Sequence, residues 1–123
     1  MKKRIVLVDD FENTRFVIKS SLRNIDAEIL EAGDGTDAIR FFDGKPVDLL
    51  ITDYNMPKMD GATLVSKVRS MSAYQFIPAI MLTTERSQEK KERAMAIKVT
   101  AWVQKPFKQD EFQKIIRKAL QIA

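Results

Sequence analysis

The chain has 123 residues, a length that favours a single domain with its own hydrophobic core. It is 45% hydrophobic and 31% charged, carries a formal net charge of +4, and contains neither cysteine nor histidine. These counts exclude disulfides, thiolate and imidazole metal sites and Ser-His catalysis, so any bound metal ion must have oxygen ligands, which favours Mg²⁺ or Ca²⁺.

Short apolar runs alternate with amphipathic segments along the chain. In chain order, the pattern predicts strands over residues 5–8, 27–32, 46–53, 77–84 and 100–104, and helices over residues 11–25, 33–42, 61–71, 87–97 and 109–122. Ser87 is the predicted N-cap of the fourth helix, whose Lys/Glu-rich composition indicates an exposed face. Four of these helices have residues that we expect on an inward, apolar face. These residues are Phe11, Thr14, Ile18, Leu22, Ile25, Ala38, Phe41, Phe42, Leu64, Val65, Val68, Met71, Phe112, Ile115, Ile116 and Ala119.

Five strands that alternate with five helices predict an α/β fold, with a parallel sheet covered by helices on both faces. Because crossover connections are right-handed, few topologies remain, and a doubly wound, flavodoxin-like sheet of order 2-1-3-4-5 suits this length. We expect residues 1–123 to form one domain, with no room for an output domain.

Polar side chains follow four of the five predicted strands. Ligands of doubly wound sheets bind beyond the carboxyl ends of the strands, so these side chains are expected to converge. Each could instead be an ordinary turn residue or helix cap, but their number at one edge favours a site. They are Asp9 and Asp10 after the first strand, Asp53 at the end of the third, Thr83 and Thr84 at the end of the fourth, and Lys105 after the fifth.

The charges of this edge predict a divalent cation. Three ionised carboxylates are balanced by one divalent cation together with the ammonium of Lys105. Mg²⁺ commonly binds to one or two carboxylates and to phosphate oxygens. A carboxylate can also act as a nucleophile and form an aspartyl phosphate, and phosphorylation of Asp53 would add negative charge that Lys105 and Thr83 could meet.

Four motifs occur in order along the chain: LVDD at 7–10, TDYNMPKMDG at 52–61, LTT at 82–84 and KPF at 105–107. With these motifs the chain resembles, over essentially its whole length, the receiver domain of two-component response regulators, and in particular the single-domain chemotaxis regulators. The family has the strand order 2-1-3-4-5, so the resemblance and the predicted topology are not independent of each other.

The resemblance implies a role for each residue of the edge. It implies that Asp53 is the phosphoacceptor, that Thr83 is the switch hydroxyl that moves onto the phosphoryl group, and that Lys105 pairs with the phosphate. The bond between Lys105 and Pro106 is expected to be cis. Pro57 and Gly61, which could also be generic turn residues, are expected to shape the loop after the phosphoacceptor.

The resemblance also implies Mg²⁺ as the cofactor. Asp10, Asp53 and the backbone carbonyl of Asn55 are the expected direct ligands. Asp9 is expected to act through a metal-bound water.

Four further residues stand at positions that matter in this family. Trp102 occupies the place of the Tyr or Phe whose rotamer follows the switch hydroxyl, although it could be a plain core or surface residue. Asn55 and Glu85 stand at the two variable positions that tune the phosphoryl lifetime, and Glu85 could equally be a solvated loop acid. Lys98 replaces the usual glycine after the fourth helix, so either this helix ends differently or the backbone is strained there.

The implied function is a phosphorylation switch rather than an enzyme, although the domain assists its own phosphorylation and dephosphorylation. The expected partners are a sensor histidine kinase or phosphotransfer protein and an unknown output protein. The signalling face of the family is formed by the fourth helix, fifth strand and fifth helix. This face could be notably basic or an ordinary solvated surface; its basic residues are Lys90, Lys91, Arg93, Lys98, Lys108 and Lys114.

Three competing functions are less consistent with the sequence. An Mg²⁺-dependent phosphatase of the haloacid-dehalogenase type needs a second acid two residues after Asp53, where this chain has Asn55. A nucleotide or flavin binder would need a glycine-rich phosphate loop, which is absent. Nucleic-acid binding is not expected, because the basic residues are dispersed and no reading element remains after the fifth helix.

The sequence also predicts the cellular location. No apolar run approaches the roughly 20 residues of a membrane span, and the apolar run after MKKR is too short for a signal peptide. We therefore expect a cytoplasmic protein without membrane contacts, either a monomer or a dimer formed on phosphorylation.

Overall fold

The computed structural model describes residues 2–122, which form one five-stranded parallel sheet with helices packed on both faces. The strands are β1 Lys3–Val8, β2 Ala27–Ala32, β3 Leu49–Thr52, β4 Ala79–Thr83 and β5 Ala101–Gln104. The helices are α1 Glu12–Leu22, α2 Gly35–Ala38, α3 Gly61–Arg69, α4 Gln88–Ala96 and α5 Gln109–Leu120. In this described part of the chain, no helix has the length and apolar composition that crossing a membrane requires.

The strand order is β2-β1-β3-β4-β5 and all neighbouring strands are parallel, which confirms the predicted flavodoxin-like topology. Val8 of β1 is paired with Thr52 of β3. Asp9 and Asp53, the next residues of each strand, therefore leave the sheet at the same level. Lys105 follows β5 at this same carboxyl edge.

The sheet separates two apolar clusters, one on each face. Because β1, β3 and β4 lie inside the sheet, their side chains are buried on both faces and read as continuous apolar runs. One cluster packs against α1 and α5, and it includes Ile5, Leu7, Leu49, Ile51, Ile80, Leu82, Ile18, Leu22, Phe112 and Ile116. The other packs against α2, α3 and α4, and it includes Val6, Val8, Leu50, Met81, Ala38, Leu64, Val65, Val68 and Ala94.

The second predicted helix is much shorter in the structure than the pattern indicated. Only α2 is α-helical, and a 3₁₀ turn, Ile39–Phe41, follows it. In the turn that follows, the Tyr74 hydroxyl accepts a hydrogen bond from the Gly44 amide (2.7 Å) and donates one to the Lys45 carbonyl (2.7 Å). Phe42, which packs edge-on against the Tyr74 ring at 5.0 Å, is buried as predicted.

The prediction that Phe11 belongs to the apolar face of the first helix is wrong. Helix α1 begins at Glu12, and the Phe11 side chain before it is 64% exposed. The Phe11 amide donates a hydrogen bond to Oδ1 of Asp9 (2.9 Å). The turn that closes around Asp9 therefore directs Phe11 outward.

In the turn that ends α4, Lys98 adopts the left-handed conformation that usually requires glycine. Lys98 has a φ of 63°, its amide donates to the Met95 carbonyl (3.0 Å), and the Val99 amide donates to the Ala94 carbonyl (3.2 Å). This pattern is a Schellman motif in which the buried Val99 supplies the usual apolar contact. The helix thus ends as it would with glycine, and Lys98 carries the backbone strain.

We predict that Lys98→Gly stabilises the protein by about 1 kcal/mol, because it removes the cost of a Cβ in the left-handed region. The measurement is the free energy of unfolding from urea denaturation. The matched control is Lys91→Gly, the same change at an exposed position inside α4, which should destabilise the protein by about 1 kcal/mol. Equal effects of the two substitutions would contradict the strain at Lys98.

Candidate functional site

Three carboxylates converge at the carboxyl edge of the sheet. Asp9 and Asp10 follow β1 and Asp53 follows β3, and one oxygen from each lies within 4.8 Å of the others. Asp9 and Asp53 are buried, whereas Asp10 is exposed. The convergence predicted from the strand ends is therefore present.

Lys105 bridges the two buried carboxylates. Its Nζ lies 2.7 Å from Oδ2 of Asp9 and 3.1 Å from Oδ2 of Asp53. Burial by itself would lower the pKa of Lys105, but the hydrogen bond to Asp9 and the charge of Asp53 outweigh it, and the pKa is raised. The ammonium therefore stays charged and offsets part of the repulsion between the acids.

The Asp9 carboxylate is fully engaged by protein groups. Its Oδ1 accepts from the Phe11 amide (2.9 Å) and its Oδ2 accepts from Lys105. Burial raises the pKa of Asp9, and the hydrogen bonds from Lys105 and Phe11 compensate for this only in part. Asp10 differs, because its carboxylate has no hydrogen-bond or ion-pair partner within residues 2–122.

Asp53 is held between a backbone amide and Lys105. Its Oδ1 accepts from the Tyr54 amide at 2.6 Å, while its Oδ2 faces the ammonium. Gly61 packs directly behind it, since a Cβ at this position would collide with the Asp53 carbonyl oxygen. The Gly61 amide also donates to the Tyr54 carbonyl (2.7 Å), so the loop of residues 53–61 is closed tightly around the acid.

The donor set of this edge fits a hard divalent cation. The three carboxylates supply the oxygen ligands that Mg²⁺ prefers. When ionised they leave an excess of two negative charges after Lys105 is counted, which one divalent cation balances. Asp9, Asp10 and Asp53 are therefore the residues of this edge that could hold such an ion.

Thr83, at the end of β4, is completely buried beside this cluster. Its Oγ1 accepts a hydrogen bond from the Glu85 amide (3.1 Å). The neighbouring Thr84 is exposed and lies outside the strand. Of the two threonines, only Thr83 is therefore buried at the end of the strand.

Asn55 and Glu85, the two predicted tuning residues, contact each other and also Lys90. Nδ2 of Asn55 donates to Oε1 of Glu85 (3.0 Å), and Nζ of Lys90 lies 2.9 Å from the same oxygen and 3.3 Å from Oδ1 of Asn55. We call Asn55, Glu85 and Lys90 the loop clasp, because they join the loop after β3 to the loop after β4. The alternative that Glu85 is only a solvated loop acid is wrong.

Arg93, like Lys90, makes contacts between α4 and the rest of the protein that the sequence did not indicate. It donates to the Tyr54 hydroxyl (3.1 Å), to Oδ2 of Asp60 (2.9 Å) and to Oγ1 of Thr63 (3.0 Å). Burial would raise the pKa of Asp60, but hydrogen bonds from Thr63 and Arg93 outweigh it and lower the pKa. These partners lie 30 to 39 positions from Arg93, so no local spacing could have indicated them.

The predicted basic face is smaller than the sequence suggested. Lys90 and Arg93 are directed to the acids of the neighbouring loops rather than to solvent alone. Trp102 lies half-buried on the edge strand β5, with its ring 6.0 Å from that of Tyr54. The Lys105–Pro106 bond is cis, as expected.

Comparisons with known proteins agree with this architecture. Residues 5–117 match the sequence model of the response regulator receiver domain. The chain is 40% identical over 106 residues to the chemotaxis protein CheY1 of Helicobacter pylori, covering 85% of this chain and 86% of that protein. The solved structure of the chemotaxis protein CheY4 of Vibrio cholerae has a TM-score of 0.89 at 35% identity, covering 98% of this chain and 100% of that chain.

A further solved structure is similar and contains a metal ion. It is the receiver domain of the sensor histidine kinase PA1611 of Pseudomonas aeruginosa, with a TM-score of 0.87 at 26% identity. The match covers 98% of this chain and 99% of that chain. That protein has a magnesium ion coordinated in its active site cleft.

We predict that Glu85 titrates far below an ordinary glutamate. Hydrogen bonds from Lys90, Asn55 and the Ser87 amide lower its pKa from 4.5 to about 2. A folded-state pKa below the unfolded one means that ionised Glu85 stabilises the fold above pH 4.5, and that this contribution is lost as the pH falls through about 2. The measurement is an NMR titration of the Glu85 carboxyl carbon.

In the variant Lys90→Met, the midpoint of the Glu85 titration should rise towards 4.5, because the hydrogen bond that lowers its pKa most is lost. Lys91→Met removes the same charge from an exposed neighbour and should leave the midpoint at about 2. A midpoint near 4.5 in the unmodified protein would contradict the loop clasp.

Proposed function

The chain belongs to the response regulator receiver domain family, the phosphorylation-dependent switches of two-component signalling, and we propose that Asp53 is its phosphoacceptor. The observation that carries this proposal is the pairing of the buried Asp53 with Lys105 beside two further acids. A carboxylate in this position is both oriented for attack and next to a cation that can receive the added charge.

The residues around Asp53 would divide the work of phosphoryl transfer between them. Oδ1 is fixed by the Tyr54 amide, which orients the carboxylate. Mg²⁺ bound at Asp10, Asp53 and the Asn55 carbonyl would neutralise charge on the transferred group. Lys105 would pair with the phosphoryl oxygens, giving up part of its present contact with Asp9.

Asp9 would act on the cation through water, because both of its oxygens already accept hydrogen bonds from protein groups. The free carboxylate of Asp10 is better placed for direct contact. The two adjacent acids thus have unequal roles, which their unequal burial supports.

The switch would begin at Thr83. Its hydroxyl accepts from the Glu85 amide in this structure, and a phosphoryl group on Asp53 would provide a strong acceptor for its proton. The shift would favour a second arrangement of α4 and β5, in which Trp102 repacks, and would change the face formed by α4, β5 and α5. Asn55 and Glu85 would tune how long the phosphoryl group persists.

We propose a histidine kinase or a phosphotransfer protein as the phosphodonor, and a separate output protein as the partner of the switched face. Receiver domains are signalling domains rather than classical enzymes. This chain would assist its own phosphorylation and dephosphorylation only through the residues that position Asp53. We propose that it acts in the cytoplasm.

A phosphatase with an aspartyl nucleophile is the main alternative. It would require an acid two residues after Asp53, and Asn55 supplies an amide that cannot donate and accept a proton in that role. The amide is also committed to Glu85 and Lys90. These contacts favour a residue that positions loops over one that transfers protons.

We predict that the protein accepts one phosphoryl group from acetyl phosphate in the presence of Mg²⁺, because Asp53 is oriented and Lys105 offsets the added charge. Intact-protein mass spectrometry measures the product. Asp53→Asn should abolish labelling, and Asp26→Asn, an exposed acid before β2 at the opposite edge of the sheet, should not. Labelling that survives Asp53→Asn would refute the phosphoacceptor, and release of many phosphates per protein would favour the phosphatase.

We also predict that Asp10→Ala weakens Mg²⁺ binding more than Asp9→Ala does. A residue that acts through water should cost about tenfold in affinity, and a direct ligand should cost more. Isothermal titration calorimetry gives both affinities, with Asp26→Ala as the control for lost charge. A larger effect at Asp9 would reverse the assignment of the two acids.

A further inference from the structure

The three side chains of the loop clasp form a closed ring of contacts beside the site. Asn55, Glu85 and Lys90 each contact the other two, with distances of 2.9, 3.0 and 3.3 Å. Asn55 follows Asp53 by two positions, and Glu85 follows Thr83 by two positions. The ring therefore ties together the two loops that carry the proposed phosphoacceptor and switch hydroxyl.

Glu85 transmits this contact to Thr83. Its Oε2 accepts from the amides of Arg86 and Ser87, both at 3.0 Å, so the side chain also fixes its own loop. Its backbone amide donates to Oγ1 of Thr83. Thr83 can approach Asp53 only if this amide follows it or the hydrogen bond breaks.

Lys90 completes the ring from the first turn of α4. This helix has little apolar attachment, because Ala94 is its one fully buried residue in the described chain. The ammonium of Lys90 also lies 5.5 Å from the centre of the ring of Tyr54, the residue that follows Asp53. The polar contacts of Lys90 therefore join the start of α4 to the loops beside the site.

We propose that Lys90 is a positioning residue that holds the loop after β4 to the loop after β3, and so opposes the movement of Thr83 towards a phosphoryl group on Asp53. This inference rests on the proposed function of Asp53. A contact present in one arrangement and lost in the other shifts the equilibrium towards the first. By linkage, removing it makes a ligand that requires the second arrangement bind more tightly.

The test uses beryllofluoride, a phosphoryl mimic, with Mg²⁺ and the full chain. Trp102, the only tryptophan, reports binding by fluorescence. Lys90→Met should bind beryllofluoride about threefold more tightly than the unmodified protein, which is the size expected for an exposed ion pair. Lys91→Met, which loses the same charge without a bond to Glu85, and Lys90→Arg, which retains an ion-pair donor, should bind like the unmodified protein.

A second measurement needs neither Mg²⁺ nor beryllofluoride. Hydrogen exchange of the Arg86 and Ser87 amides should accelerate in Lys90→Met and not in Lys91→Met, because these amides donate to the Glu85 carboxylate. Thermal unfolding of each variant confirms that it folds. A merely structural role for Lys90 would change exchange without changing affinity for beryllofluoride, and would overturn the proposal.

The two proposals fail in different ways. If the unmodified protein and Asp53→Asn respond alike to beryllofluoride, the proposed function of Asp53 is refuted, and the role of Lys90 falls with it. If the unmodified protein binds specifically but Lys90→Met and Lys91→Met have equal affinities, the inference about Lys90 alone is refuted.

Discussion

The structure depends above all on two buried carboxylates that share one ammonium. Asp9 and Asp53 repel each other and lose hydration at the edge of the sheet. The ammonium of Lys105, 2.7 Å from Asp9 and 3.1 Å from Asp53, offsets both costs. The compensation is incomplete, because burial still raises the pKa of Asp9. With Asp10 beside them, the site retains an excess of negative charge. A cation bound there would neutralise this excess, so the repulsion between the acids would favour its binding.

The rest of the fold brings these groups together and keeps them there. Strands β1, β3 and β4 are buried on both faces, and the parallel register places the ends of β1 and β3 at one level, with β4 extending two residues further. Attachment to this core is uneven, however. Helix α5 buries Phe112, Ile116 and Leu120, whereas α4 buries only Ala94 among the described residues and ends in a strained turn at Lys98. Helix α4 therefore has little buried apolar surface, and Lys90 and Arg93 add polar contacts to the loop after β3.

Much of this could be predicted from the sequence, and the reasons are local. Alternating apolar runs and helical spacing define the sheet, and a parallel sheet brings Asp53 and Lys105 to one edge. What could not be predicted depends on distant partners. The turn after the second helix is held by the hydroxyl of Tyr74, 30 residues from the Gly44 amide that donates to it. The composition of its helix predicts that Lys90 is exposed, and nothing in that helix indicates that Asn55 is its partner.

The same distant contacts explain how a change at one carboxylate can reach α4. The two residues that follow Asp53 are hydrogen-bonded to successive turns of this helix. The Tyr54 hydroxyl accepts from Arg93, and Oδ1 of Asn55 accepts from Lys90. The amide of Tyr54 meanwhile fixes the carboxylate itself. A new charge on Asp53 would therefore act on the backbone that anchors α4, in addition to its effect on Thr83. Because α4 buries few apolar side chains, the proposed switch would act on this helix mainly through these polar contacts.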